Sequence, residues 1–370
     1  MPTKAVATMN SGLNPYLDDK PRALRTTRSP GLTKPLRIIH LVTEDSPQLQ
    51  CAVQELVKAT WNNPAIDALL VSEKPLVVPK IAGQKNSLAI PAIPFKQLHS
   101  WSKAGRALEF YRLCRDEKPD AVFIHHQEFN NRYRYASLRA GVKHIFAGSC
   151  ARENEQQFPY GISLNPFTKA DEVPLNLRIP GIIMPSGFEG DYHRQLIRAV
   201  SCLREVRMYP RIFLTGPGSQ RAYEEAQQLC NALGLENQVR VAHYCSNLPF
   251  LLMHHQLAVI AQPAREQILV AQAMAAGSVT IGLAQSDQAS LIQHNQDGIL
   301  FTDESPELFA EQLQALLTNA TESQRLADNA RKRALQEFSL QRMIENYHQV
   351  YRELYPRGDA NLDLNVDEVA

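Results

Sequence analysis

Arg211-Ile212-Phe213-Leu214-Thr215-Gly216-Pro217-Gly218 reads as a short apolar strand closed by a tight turn. Residues 219–233 then carry a helical pattern, and Val239-Arg240-Val241 opens another strand. A strand, a helix and a strand in that order are the unit of a parallel sheet covered by helices. Working outward, the unit repeats. Around it lie strands at Gly181–Met184, Leu257–Ile260 and Val279–Gly282, with helices at 191–207, 266–276 and 306–317. From Glu322 to Leu354 the pattern predicts two long helices broken near Phe338-Ser339.

Upstream, a second series has the same rhythm. Strands are predicted at Leu36–Val42, Ala68–Val71, Leu88–Ile90, Ala121–Ile124 and His144–Ala147, with helices at 50–62, 100–116 and 128–139. Lys118-Pro119 and Ala140-Gly141 stop two of those helices. A stretch at 151–180 with Pro159, Pro166, Pro174 and Pro180 reads as the connector. The expectation is an α/β protein of two Rossmann-like doubly wound domains in tandem, with ligands bound in the cleft between them at the strand carboxyl ends. The divisions are a mobile arm over 1–34, domains over 35–165 and 166–340, a C-terminal helix over 341–357 and an acidic tail over 358–370.

The 370 residues carry a net charge of +1, but the ends are polarised. Residues 1–34 sum to +4 and residues 358–370 to −4, leaving a near-neutral body. That balance argues against a nucleic-acid binder driven by a strong basic field. The first 34 residues lack the apolar segment of a signal peptide, and no run of about 18 apolar residues suits a membrane span. Six cysteines stand singly without a CxxC pair, which predicts reduced thiols in a cytoplasmic protein. Neither a phosphate-loop GxxxxGK[ST] nor a GxSxG elbow is present. His125-His126 closes a strand, where neighbours point to opposite faces, so the pair does not suit one metal ion.

Beyond the opening stretch, Leu233-Gly234-Leu235-Glu236-Asn237-Gln238-Val239-Arg240-Val241, Gln272-Ala273-Met274-Ala275-Ala276-Gly277 and Asp297-Gly298-Ile299-Leu300-Phe301 follow in order. Phe338-Ser339 and Tyr351-Arg352-Glu353-Leu354 complete the series. Together these resemble the nucleotide-sugar domain of GT-B glycosyltransferases of the family 4 type, the glycosyl transferases group 1. The resemblance implies a retaining hexosyltransferase of polysaccharide or cell-envelope glycan assembly, moving sugar from a nucleotide sugar to a glycan or lipid-linked acceptor. It implies no metal and no other cofactor. The developing charge on the leaving diphosphate calls for cations or helix N-termini.

Position by position, the family's donor-site groups are replaced. Its Arg falls on Ser186 and its Lys on Asp191; its two Glu fall on Ala264 and Gln272; its His falls on Ser149, and its glycine pair on Pro47 and Gln48. Gly216 and Gly218 keep a turn suited to a ligand's approach, which is also what a plain turn needs. A small register shift brings Glu266 to the sugar and Arg265 to a phosphate. Gln272 is then assigned to the ribose, Tyr244 to stacking on a base, and His125 or His126 to the acceptor. The alternative is a catalytically inactive homologue that binds a glycan or a partner glycosyltransferase. A third reading is an enzyme of this fold with a lipid-linked donor. The basic, aromatic segments Trp101–Arg115 and Arg132–Arg139 suit either a solvated helix face or peripheral contact with the inner face of an anionic membrane.

Overall fold

The computed structural model describes residues 34–43, 47–61, 63–75, 93–125, 131–147, 160–188, 190–243, 245, 247–261, 267–284, 291–302 and 305–354, and structural statements below refer to these. Residues 1–33 of the predicted N-terminal arm, the acidic tail and the predicted strand at Leu88–Ile90 lie outside them.

The first half contains β1 (Leu36–Val42), α1 (Pro47–Thr60), β2 (Ile66–Ser72), β3 (Phe95–Gln97), α2 (Lys103–Glu117), β4 (Ala121–His125), α3 (Asn131–Arg139) and β5 (His144–Ala147). Its five strands are parallel in the order β3-β2-β1-β4-β5. Alternation along the strands assigns each face. Ile39, Leu41, Val122 and Ile124 meet Phe110 and Leu113 of α2 and Tyr133 of α3. Ile38 and Phe123 point the other way, into the core that takes in α1.

The second half contains β6 (Ile179–Met184), α4 (Tyr192–Glu205), β7 (Arg211–Thr215), α5 (Gln220–Ala232), β8 (Val239–Ala242), α6 (Leu248–His254) and β9 (His255–Ile260). It continues through α7 (Gln267–Ala275), β10 (Val279–Leu283), β11 (Ile299–Phe301), α8 (Pro306–Thr318), α9 (Ala320–Glu337) and α10 (Leu340–Leu354). The sheet runs β11-β10-β9-β6-β7-β8, again parallel. In both sheets the order reverses in the middle, between β1 and β4 and between β6 and β9. This is the topological switch point where doubly wound folds bind ligands.

Three short elements escape the sequence pattern. α6 has seven residues and β3 and β11 three each, too few to establish a periodicity. The connector forms three 3-10 turns, at Asn165–Phe167, Ala170–Glu172 and Leu175–Leu177. It is fastened to the second half by Arg331, whose Nε and Nη2 grip the Asp171 carboxylate at 2.6 and 2.7 Å.

The chain crosses between the halves twice, side by side. Ile162 N donates to Phe338 O, and Leu340 N donates to Ile162 O, each at 2.9 Å. After the second crossing α10 returns to the first half. Its buried Met343, Ile344, Tyr347, Val350 and Tyr351 recur at helical spacing and join the core shared with α1 and β1. Burial of that many large side chains, each contributing about 1.5–3 kcal/mol, holds the helix there.

Candidate active-site loops

At the carboxyl end of the second sheet, β6 continues as Pro185-Ser186-Gly187-Phe188 and β7 as Gly216-Pro217-Gly218. The two loops meet backbone to backbone. Gly187 N donates to Thr215 O at 2.9 Å and Phe188 N to Pro217 O at 2.7 Å. Gly187 has φ +82°, and a Cβ there would stand 2.1 Å from Pro217 O. Gly216 has φ +127°, and its Cβ would stand 2.6 Å from Gly187 N. Only glycine satisfies both demands. Gly187, which the sequence reading did not single out, is therefore as necessary as Gly216.

Ser186, at the position expected to hold a guanidinium, is 1 % exposed. Its Oγ accepts from Ala261 N at 3.1 Å, tying the loop after β6 to the end of β9 across the switch point. Asp191 begins α4 with an exposed carboxylate and accepts from Arg194 Nη1 at 3.0 Å. Arg194 also pairs with Glu225, which accepts from Arg221 Nε at 2.8 Å. The cation near positions 186 and 191 is therefore Arg194, in the first turn of α4, held between the Asp191 and Glu225 carboxylates. Inside that turn His193 is buried against Phe188, with neither ring nitrogen hydrogen-bonded among the described residues, and burial lowers its pKa to about 4.

α7 starts just beyond the loop after β9. Gln267 is buried and Gln272 half-buried, and the Oε1 atom of each is buried without a hydrogen-bond partner among the described residues. At the edge of the sheet, the exposed His243 ring stacks on Tyr223 with centroids 3.8 Å apart, and His243 Nε2 contacts Gln220 Oε1 at 3.1 Å. Ala264, Arg265, Glu266, Tyr244, Ser149 and His126 lie outside the described residues, as do the side chains of Pro47 and Gln48.

The first sheet is closed differently. His125, the last residue of β4, is 1 % exposed. Its Nε2 lies 2.8 Å from Nδ1 of His40 on β1, and His40 Nε2 lies 2.8 Å from the hydroxyl of Tyr351 on α10. Burial holds the His40 pKa well below its ordinary value, helped by the neighbouring His125, and lowers that of His125 to about 3. Both rings are neutral at neutral pH, and a pKa held that low leaves His125 too weakly basic for a general base. Beyond β2, the buried Glu73 carboxylate accepts from the Tyr133 hydroxyl and pairs with Arg106 at 3.2 Å and Arg132 at 3.7 Å.

On the outer surface of α2 and α3, Trp101, Leu108, Tyr135 and Leu138 are exposed, Trp101 completely. Exposed Lys103, Arg112 and Arg139 accompany them, whereas Phe110 and Tyr133 turn into the core. A concavity of about 510 Å³ lined by Ile179, Pro180, Tyr209, Pro210, Arg211 and Leu317 lies at the amino end of the second sheet, away from these loops. Among the described residues no cluster of three His, Cys, Asp or Glu is placed to hold a metal ion, and no helix is long and apolar enough to cross a membrane.

Residues 186–333 match the family model described as glycosyl transferases group 1. No curated protein matches the chain by sequence. Among solved structures, a glycosyltransferase from Rickettsia africae superposes with a TM-score of 0.67 at 14 % identity, covering 88 % of this chain and 100 % of that one. Anabaena HepE, solved with UDP and glucose, gives a TM-score of 0.59 at 14 % identity over 86 % of this chain and 100 % of its own. WaaG, a glycosyltransferase of lipopolysaccharide biosynthesis, gives 0.58 at 16 % identity over 85 % and 99 %. The matched segment opens at Ser186, on the first loop of the second sheet, and both sheets superpose on these structures. Residues 186–333 are thus similar to the glycosyl transferases group 1 family, within a two-domain α/β chain that has the GT-B fold.

Proposed function

We propose that the protein is a retaining glycosyltransferase that moves a hexosyl group from a nucleotide sugar to a hydroxyl of a glycan or lipid-linked acceptor, in the assembly of polysaccharide or cell-envelope glycan. The observation that carries this reading is the coincidence of the matched segment, 186–333, with the loops at the second sheet's switch point. The diphosphate lies at the start of α4, where backbone N–H groups and Arg194 oppose its charge. Arg265 and Glu266 complete the donor contacts, Gln272 reaches the ribose and Tyr244 the base. Gly216 and Gly218 hold the loop that lets the backbone approach. The nucleotide sugar is a substrate, and the reading calls for no metal or other cofactor. Support for a nucleotide sugar comes from HepE, whose structures contain UDP and UDP-glucose. The non-catalytic alternative has no comparable support.

Thermal-shift and calorimetric titration with UDP-, GDP- and ADP-sugars tests the proposal. One of them is expected to stabilise the fold, since a ligand bound only by the folded state raises its stability. No response to any would overturn it.

The acceptor side is proposed to meet an anionic bilayer at the cytoplasmic face through Trp101, Leu108, Tyr135 and Leu138 with their basic neighbours. Co-sedimentation with vesicles containing a third phosphatidylglycerol is expected. Trp101→Ser with Tyr135→Ser is expected to weaken it several-fold, and equal binding by neutral vesicles would remove the electrostatic part.

A further inference from the structure

The hydrogen bonds joining Tyr351, His40 and His125 have a direction that can be assigned. The Tyr351 hydroxyl is buried, and among the described residues its one hydrogen-bond partner is His40 Nε2 at 2.8 Å. If the hydroxyl accepted from His40, its own hydrogen would have nowhere to go. In that arrangement His125 would donate from Nε2 to His40 Nδ1, and its own Nδ1 would be a bare lone pair. Two groups would then be unsatisfied. In the opposite arrangement Tyr351 donates to His40 Nε2, His40 Nδ1–H donates to His125 Nε2, and His125 keeps its hydrogen on Nδ1. A single group is left over: His125 Nδ1, buried and without a partner among the described residues.

We infer that His125 is a positioning residue that presents an Nδ1–H donor to an oxygen of a ligand at the carboxyl end of β4, its tautomer set by Tyr351 through His40. The ligand class is an oxygen acceptor, either a sugar hydroxyl or a phosphate oxygen. This rests on the reading above that a glycosyl donor or acceptor enters at the switch points. His125 is the last residue of β4, which neighbours β1 at the first sheet's switch point, so its place in the fold suits ligand contact. The low pKa from burial agrees with a ring that stays neutral and donates one hydrogen bond. The device also ties the site to the C-terminal helix, 311 residues from His40 in sequence.

The test has two arms. Long-range proton–nitrogen correlation on the full chain labelled in its imidazole nitrogens reads the tautomers directly. Wild type is expected to show His125 protonated at Nδ1 and bare at Nε2. Tyr351→Phe removes the donor that sets the direction, and a mixture of tautomers is expected. A wild-type His125 protonated at Nε2 overturns the inference without any activity measurement.

In the second arm, release of UDP from UDP-glucose, or from whichever sugar of the panel binds, is compared in three variants. The amide nitrogen of Asn falls where Nδ1 stood and that of Gln where Nε2 stood. His125→Ala and His125→Gln are expected to lose about tenfold, and His125→Asn to recover most of it. Asn no better than Ala, in variants of equal thermal midpoint, overturns the ligand contact. If no nucleotide sugar binds or turns over, the proposed function fails and takes the ligand contact with it, while the tautomer result stands or falls by itself.

Discussion

The two sheets share a topology but are closed at their carboxyl ends by different means. In the second, the loops after β6 and β7 are joined through backbone atoms, with Gly187 and Gly216 at the contacts, and the Ser186 hydroxyl adds one link to the end of β9. In the first, side chains make the closure: the His125–His40–Tyr351 chain on one face and Glu73 with Arg106, Arg132 and Tyr133 on the other. Backbone junctions tolerate almost no substitution at the residues that make them. Side-chain networks degrade step by step and respond to pH.

Gly187 and Gly141 sharpen that contrast, because both have φ +82°. At Gly187 a Cβ meets Pro217 O at 2.1 Å, whereas at Gly141 nothing lies within 4 Å. Gly187→Ala is expected to cost roughly 3 kcal/mol or more, from backbone strain and overpacking together, and Gly141→Ala about 1 kcal/mol from strain alone. Denaturant unfolding followed by circular dichroism measures both. Equal losses would mean that the loop junction yields more easily than its contacts indicate.

Within the first half, Glu73→Gln removes the charge shared by Arg106 and Arg132 but keeps the side chain's shape. Arg106 and Arg132 remain partly solvated, at 20 % and 24 % exposure, so the expected loss is about 2 kcal/mol rather than the full cost of a buried pair. Tyr133→Phe is expected to lose less, about 1 kcal/mol. A Glu73→Gln protein as stable as wild type would place the closure of this sheet in its apolar core instead.

A further effect, spread over both halves, is graded by pH. His125, His193 and His348 are lowered to about 3, 4 and 4, chiefly by burial, and His40 also lies well below its ordinary value. The unfolded chain therefore binds protons that the folded one refuses. Stability is full above about pH 6.5, the unfolded histidine value, and falls as the pH drops from there toward 4. Urea midpoints at pH 7.5, 6 and 5 are expected to decline in that order, and less steeply in His193→Leu. An identical slope in that variant would assign the acid sensitivity to the other buried histidines, His40, His125, His255 and His348.

How much of the site was legible follows from the same distinction. Gly216-Pro217-Gly218 announced itself because glycine and proline report on the local backbone. Gly187 was missed because its neighbours Pro185, Ser186 and Phe188 form no recognised turn by themselves, and its constraint comes from Pro217 across the loop. Ser186 and Asp191 were legible as substitutions in a resemblance, but the hydroxyl's hydrogen bond to Ala261 and the pairing of Asp191 with Arg194 were not. His125 was singled out from its strand-end position, yet its burial and its hydrogen bond to His40 come from packing that no spacing announces.

By itself, then, the sequence determined what depends on neighbours along the chain. Periodic apolar runs set strands and helices, prolines and glycines set their stops, and the repeat of that pattern set two wound sheets. Tertiary structure alone decided which distant groups satisfy each other. Ser186 ties β6 to β9, Glu73 gathers two arginines from separate helices, and Tyr351 reaches His40 from the far end of the chain. The physical reason is that backbone conformation is governed by local sterics, whereas a buried polar group takes whichever partner the packing brings within about 3 Å.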